Sequence, residues 1–152
     1  MSKNILVIDE GTTSTRAVLF AASGEALGSC QRPLTQHYPA PGLVEHDAEE
    51  IWNLTLECAR EMVAKAGGAD QIAGIGITNQ RETIVFWDAR TGKPLAPAIV
   101  WQDRRTADQC MALRERGEEP VVQAKTGLLL DPYFSGSKIG WALPNWPQLA
   151  EA

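Results

Sequence analysis

The chain has 152 residues, and 14 Lys and Arg against 19 Asp and Glu leave a formal net charge of −5. With 44% apolar and 22% charged residues it has the composition of an ordinary globular domain, which excludes disorder and fibrous repeats. An acidic chain with no basic run is poorly suited to gripping a nucleic-acid backbone by charge, and no apolar stretch approaches the length of a membrane span.

Cys30, Cys58 and Cys110 are odd in number and none forms a C-x-x-C pair, so reduced thiols are expected rather than a disulfide or zinc scaffold. Met1-Ser2-Lys3-Asn4 leads directly into an apolar run without a signal-peptide pattern. Together these features place the expected location in the cytoplasm.

Residues 4–8, apolar from Ile5 onward, have the pattern of a strand buried on both faces. Gly11-Thr12-Thr13-Ser14 reads as a turn into a second strand over 15–21, and Ser23-Gly24-Glu25 as a tight turn into a weaker third over 26–34. Three sequential strands on short turns predict an antiparallel meander. Pro39, Pro41 and Gly42 break the pattern, and Asp47 with Glu50 three residues on forms a near capping box. Behind it Ile51, Trp52, Thr55, Cys58, Ala59, Met62, Val63 and Ala66 share a wide helical stripe that Gly67-Gly68 ends, a helix packed on a sheet. Residues 72–78 and 83–88 read as two further strands, with Gly74 and Gly76 permitting close packing, and 89–94 as a turn. An amphipathic helix is expected over 103–116, stopped by Gly117, and another from about Ser135 that meets Pro144. The order of elements is that of an α/β layer.

Two phosphate loops are excluded. Gly92-Lys93 has Trp87 where a Walker loop requires glycine, and Gly74-Ile75-Gly76-Ile77-Thr78-Asn79 ends in Asn and opens no helix. The segment Ile8-Asp9-Glu10-Gly11-Thr12-Thr13-Ser14-Thr15-Arg16 carries more chemistry. A buried strand delivers Asp9 to its end, glycine turns the backbone, and four hydroxyl residues follow. Hydroxyls and turn N–H groups suit phosphate oxygens, whereas a carboxylate suits Mg²⁺ or its bound water. Alternation along the strand sends Asp9 and Glu10 to opposite sides. Thr, Ser and Gly are also ordinary turn residues, so a polar hairpin turn explains the composition equally well.

Asp9-Glu10-Gly11-Thr12-Thr13-Ser14 with Arg16 resembles the first phosphate motif of the sugar-kinase, heat-shock chaperone and actin superfamily. Within it the segment is similar to the carbohydrate-kinase branch that includes the glycerol kinases. Pro41-Gly42-Leu43-Val44-Glu45-His46-Asp47 with Ile51-Trp52 resembles that branch's entry to its first helix. Ile75-Gly76-Ile77-Thr78-Asn79-Gln80-Arg81-Glu82-Thr83 resembles the glycerol kinase segment in particular. Ile99-Val100-Trp101-Gln102-Asp103-Arg104-Arg105-Thr106, Thr126-Gly127-Leu128 and Asp131-Pro132-Tyr133-Phe134-Ser135-Gly136 extend the likeness, which runs from about Asn4 to Trp141.

The resemblance implies a ribonuclease H-like, actin-like ATPase fold that is α/β and incomplete at the C-terminus. Residues 1–152 would be the N-terminal portion of the first kinase domain, with the second domain absent. It implies ATP-dependent phosphorylation of glycerol to sn-glycerol 3-phosphate, with ATP and Mg²⁺ as cofactors. Asp9 would help hold Mg²⁺, while Thr12, Thr13, Ser14 and Arg16 would meet the nucleotide phosphates. Arg81, Glu82 and Tyr133 would bind the glycerol hydroxyls, and Trp101 would cover its carbon backbone. Such pairing is what a small neutral triol requires for discrimination.

Taken alone, Arg81-Glu82 is also the composition of a solvated charge pair. His37 and His46 lack metal spacing and read as structural, and Arg104-Arg105 as a solvated region before a helix. Glu10 departs from the Gln of many members, and Pro144 lies where the family's helix continues. The general base of the family is an Asp in a Gly-Asp-Gln segment, and this chain contains no Gly-Asp pair. The expectation is a chain that is catalytically silent alone, from an enzyme that is a homo-oligomer at full length. The competing expectations are a naturally short, non-catalytic ligand- or partner-binding module, and a kinase for another polyol.

Overall fold

The apolar run that opens the chain becomes the first strand of a four-stranded sheet. The computed structural model describes residues 3–150. In chain order the elements are β1 (Asn4–Glu10), β2 (Ser14–Phe20), β3 (Ala26–Pro33), β4 (Glu45–His46), α1 (Ala48–Ala66) and β5 (Ile72–Thr78). They continue with β6 (Ala98–Ile99), α2 (Ala107–Glu115), α3 (Glu119–Thr126) and α4 (Ser135–Asn145). Short 3₁₀ turns occupy Ala69–Gln71 and Pro147–Ala150. The described residues fall into two units. One holds the chain up to Thr35 together with Asp47–Gln80, and the other holds Gln36–His46 together with the chain from Arg81 onward.

In the first unit the strand order is β3-β2-β1-β5. The three-strand meander is antiparallel as the sequence predicts, and β5 pairs in parallel with β1, Leu6 opposite Ile75 and Ile8 opposite Ile77. A parallel partner requires a long crossover, and α1 provides it. Leu6, Ala17, Leu19, Cys30, Cys58 and Met62 form the core, with Ala59, Val63, Ala66 and Ile72 packed against it. Cys30 on β3 and Cys58 on α1 are free thiols whose sulfurs lie 2.6 Å apart, and burial with the Cys58 contact pushes the Cys30 thiol up to about 12.

Helix α1 starts where its cap dictates. Asp47 accepts from the Glu49 and Glu50 backbone N–H groups, and left-handed Gly67 closes the other end. Only half of the expected capping box forms, because the Glu50 carboxylate instead accepts from the Thr35 N–H and hydroxyl. Trp52, assigned to the apolar stripe, is 62% exposed. Of the two glycines of β5, Gly76 lies 3.8 Å (as a built Cβ) from Val7, whereas Gly74 faces open space.

In the second unit β4 pairs antiparallel with the two-residue β6. The strand expected over 83–88 does not form. Ile84 and Trp87 make only isolated bridges, to Ile99 and Pro94. Asp88 instead folds the backbone into a loop by accepting from the Arg90 and Thr91 N–H groups. Helix α2 begins at Ala107 rather than 103, since Asp103 is buried as a side-chain acceptor. The expected solvated Arg104-Arg105 pair is corrected at Arg105. Its guanidinium bonds Asp103 and Glu45 at 2.7–2.8 Å and lies 4.7 Å from the Trp141 ring centre. Helix α3, with Pro120 in its first turn, was not expected, and α4 runs one residue past Pro144. Among the described residues no helix is long and apolar enough to cross a membrane.

Candidate functional site

Each unit gathers one of the two residue sets singled out in the sequence. In the first, the β1–β2 turn is drawn tight by a bond from the Gly11 N–H to the Ser14 carbonyl at 3.0 Å. A Cβ at position 11 would stand 3.0 Å from that same carbonyl oxygen, a tight contact that glycine avoids. The turn is tied down further by the Gln80 side-chain amide donating to the Gly11 carbonyl, and by Leu34 N–H donating to the Thr13 carbonyl. Gln31 donates to the Ser14 hydroxyl at 2.8 Å. Thr12, Thr13 and Ser14 therefore sit on a rigid turn at the end of a buried strand.

Asp9 and Arg16 are cross-strand neighbours, and the Arg16 guanidinium donates to Asp9 at 2.8 Å. Both side chains are about half exposed or less, and an ion pair of this kind contributes at most ~1 kcal/mol, so an incoming anion or cation can open it. Glu10 turns away from Asp9, in line with strand alternation. One of its oxygens accepts from the hydroxyls of Thr15 and of Thr55 on α1, at 2.9 and 2.5 Å. The other oxygen is buried with no partner. Among the described residues no group of three or more His, Cys, Asp or Glu side chains could hold a metal. Mg²⁺ takes one or two carboxylates and completes its shell with water and phosphate oxygens. The turn's neutral donors and the single carboxylate together fit a magnesium–polyphosphate ligand.

In the second unit, Glu82 is the only residue other than glycine with positive φ among those described, at 68°. Its carboxylate accepts from the Ser135 N–H at 2.8 Å and from the Ser135 hydroxyl at 2.7 Å. Glu82 thus caps the N-terminus of α4, where Phe134 offers no side-chain cap of its own. The two Ser135 bonds hold the Glu82 carboxyl below its ordinary range. Tyr133 sits in the loop before α4, held by its N–H donating to the Asp131 carboxylate. Its ring stands edge-on to Trp101, centroids 5.8 Å apart, and to Phe134 at 5.1 Å. Trp101 follows β6, and its N–H donates to the Thr83 hydroxyl. Arg81 is exposed beside Glu82. The arrangement offers a fixed acceptor, an aromatic corner and a nearby cation, which is chemistry for a small polyhydroxyl ligand.

Sequence reasoning missed two members of this neighbourhood. Ser135 reads as the start of a helix and as part of a likeness, with no role at the site, and Lys138, which follows Ser135-Gly136-Ser137, is not singled out. His46 is structural as expected, buried with its ring bonded to Gln36.

A mixed sheet in the order β3-β2-β1-β5, with α1 crossing over between the antiparallel meander and the parallel β5, is the fold of actin-like sugar-kinase domains. The N-terminal domain of the FGGY family of carbohydrate kinases matches residues 4–152, and the chain belongs to that family. It is 63% identical over 140 residues to a glycerol kinase of Citrifermentans bemidjiense, covering 91% of this chain and 28% of that protein. It is 56% identical over 149 residues to one of Gluconobacter oxydans, covering 97% and 29%. Among solved structures, Plasmodium falciparum glycerol kinase with ADP superposes with a TM-score of 0.90 at 34% identity, over 99% of this chain and 30% of that one. The chain thus spans about three-tenths of the length of these relatives.

Proposed function

We propose that residues 1–152 form the N-terminal portion of the first domain of an ATP-dependent glycerol kinase. The observation that carries this reading is the set Glu82, Tyr133 and Trp101: a carboxylate fixed on Ser135, and two edge-on aromatic rings, with the Glu82 and Tyr133 backbones joined through Lys138. It is joined by identity of 56–63% to relatives named glycerol kinase. In this reading Glu82 accepts from a glycerol hydroxyl, Arg81 donates to one, and Tyr133 does either. Trp101 shields the CH groups from water. Glycerol has three hydroxyls to satisfy, and each unmatched one is a reason to reject a competitor.

Thr12, Thr13, Ser14 and Arg16 would meet the nucleotide phosphates, and Asp9 would hold Mg²⁺ or its bound water once Arg16 has turned to the phosphates. Bound Mg²⁺-ATP supplies the phosphoryl group and neutralises its charge. The chain's own contribution is positioning and charge stabilisation, the main sources of rate in phosphoryl transfer.

The fold alone leaves the polyol open, since a xylulose kinase of Rhodospirillum rubrum superposes with a TM-score of 0.87 at 28% identity. A test places the 152 residues in front of the remaining part of the Citrifermentans bemidjiense relative and follows ADP release with glycerol, xylulose and gluconate. Glycerol-dependent release, abolished by Glu82→Ala, is the expected outcome, with none from the 152-residue chain alone. A preference for xylulose or gluconate would replace glycerol with another polyol. Turnover by the isolated chain would overturn the assignment of silence.

A further inference from the structure

We infer that Lys138 is a positioning residue for polyol recognition, its buried ammonium holding together the backbone of Glu82 and of Tyr133; this rests on the glycerol kinase reading. Lys138 lies on the first turn of α4 and is 0% exposed. Its Nζ donates to the Glu82 carbonyl at 3.0 Å and to the Tyr133 carbonyl, and lies 6.0 Å from the Tyr133 ring centre. One side chain thus ties two of the four residues assigned to the polyol, 51 positions apart (133 − 82) in sequence.

Three observations favour positioning over plain packing. A fully buried ammonium is expensive to desolvate, and an apolar residue of similar volume commonly serves stability as well or better. Glu82 is held at a φ of 68°, a conformation that non-glycine residues keep only when their surroundings over-determine it. Here the surroundings are Lys138 on its carbonyl and Ser135 on its carboxylate, so backbone and side chain are fixed from the same helix end. Finally, the charges that face the ammonium come from several segments. Burial lowers the Lys138 pKa, while Glu82, Asp103 and Asp131 oppose that shift. The groups that its Nζ donates to directly are the backbone carbonyls of the two polyol residues.

The inference separates ground-state recognition from general stability. Without the ammonium, Glu82 can relax from its left-handed backbone and Tyr133 can shift, both of which misplace hydroxyl partners and leave the nucleotide set untouched. The test uses the same joined kinase, with Lys138→Met and Lys138→Arg beside the parent. Expected are a KM for glycerol raised roughly 10- to 100-fold in Lys138→Met, a KM for ATP within about twofold of the parent, and partial recovery in Lys138→Arg. Equal effects on both KM values, no effect on either, or loss of a cooperative thermal transition in Lys138→Met would each assign Lys138 a structural role and overturn the inference. An inactive parent would instead sink the kinase reading itself, and the inference with it.

Discussion

Glu10 shows how much one residue can say about a fold and how little about its own energetics. Strand alternation alone predicts that it turns away from Asp9, and it does so, toward Thr15 and Thr55. The buried, unpartnered second oxygen was not legible, because it depends on α1 arriving over β1. The same distinction holds for Glu82, whose place in a charged pair is readable while its left-handed backbone and its cap on α4 are tertiary.

That cap has a pH signature. Ser135 holds the Glu82 carboxyl below its ordinary value of 4.5, so ionised Glu82 stabilises the folded state. The contribution is complete above 4.5 and is lost as pH falls through the lower folded value. Thermal melts of the parent and Glu82→Gln should therefore differ most near neutrality and converge in acid. A constant difference across that range would refute the role of the Ser135 bonds.

At the scale of elements, the meander, α1 and β5 were legible because each depends on local pattern: a run of apolar residues, a 3.6-residue stripe, a cap at each end. The stretch 83–88 has strand composition, yet no neighbouring strand offers it a continuous ladder, and Asp88 draws its end into a turn. Helix α2 starts late for a related reason. Asp103 looks like a helix-opening residue, but its two oxygens are used by the Val44 N–H and by Arg105.

This pin joins the loop before α2 to the strand-like segment at 44–45, and no local rule announces it. Arg105→Met should lower stability by about 3 kcal/mol, since it leaves Asp103 and Glu45 without their cation, and Asp103→Asn in the same chain should recover part of the loss. Urea denaturation measures both. Additive losses in the double variant would deny the coupling.

For the whole molecule, the family was readable from motifs that local sequence preserves, whereas the outer edge of β5 follows only from the sheet order. Ile75 and Ile77 on that edge strand are 61% and 71% exposed. An edge strand with exposed apolar side chains is a template for association. The 152-residue chain should therefore self-associate at micromolar concentration, and Ile75→Lys with Ile77→Lys should shift it toward monomer in sedimentation velocity. A sharp monomer peak for the unaltered chain would contradict this.

The parallel pairing of β1 with β5 also sets a schedule. On a ribosome β1, β2 and β3 emerge together and can zip from neighbouring turns, each contact short in sequence. The other side of β1 must wait until β5 begins to be made at Ile72, 68 residues (72 − 4) after Asn4. At common elongation speeds that is roughly 3 to 14 seconds. For that interval the nascent meander carries a second bare edge, and α1, synthesised midway, is the first element able to shelter its apolar face.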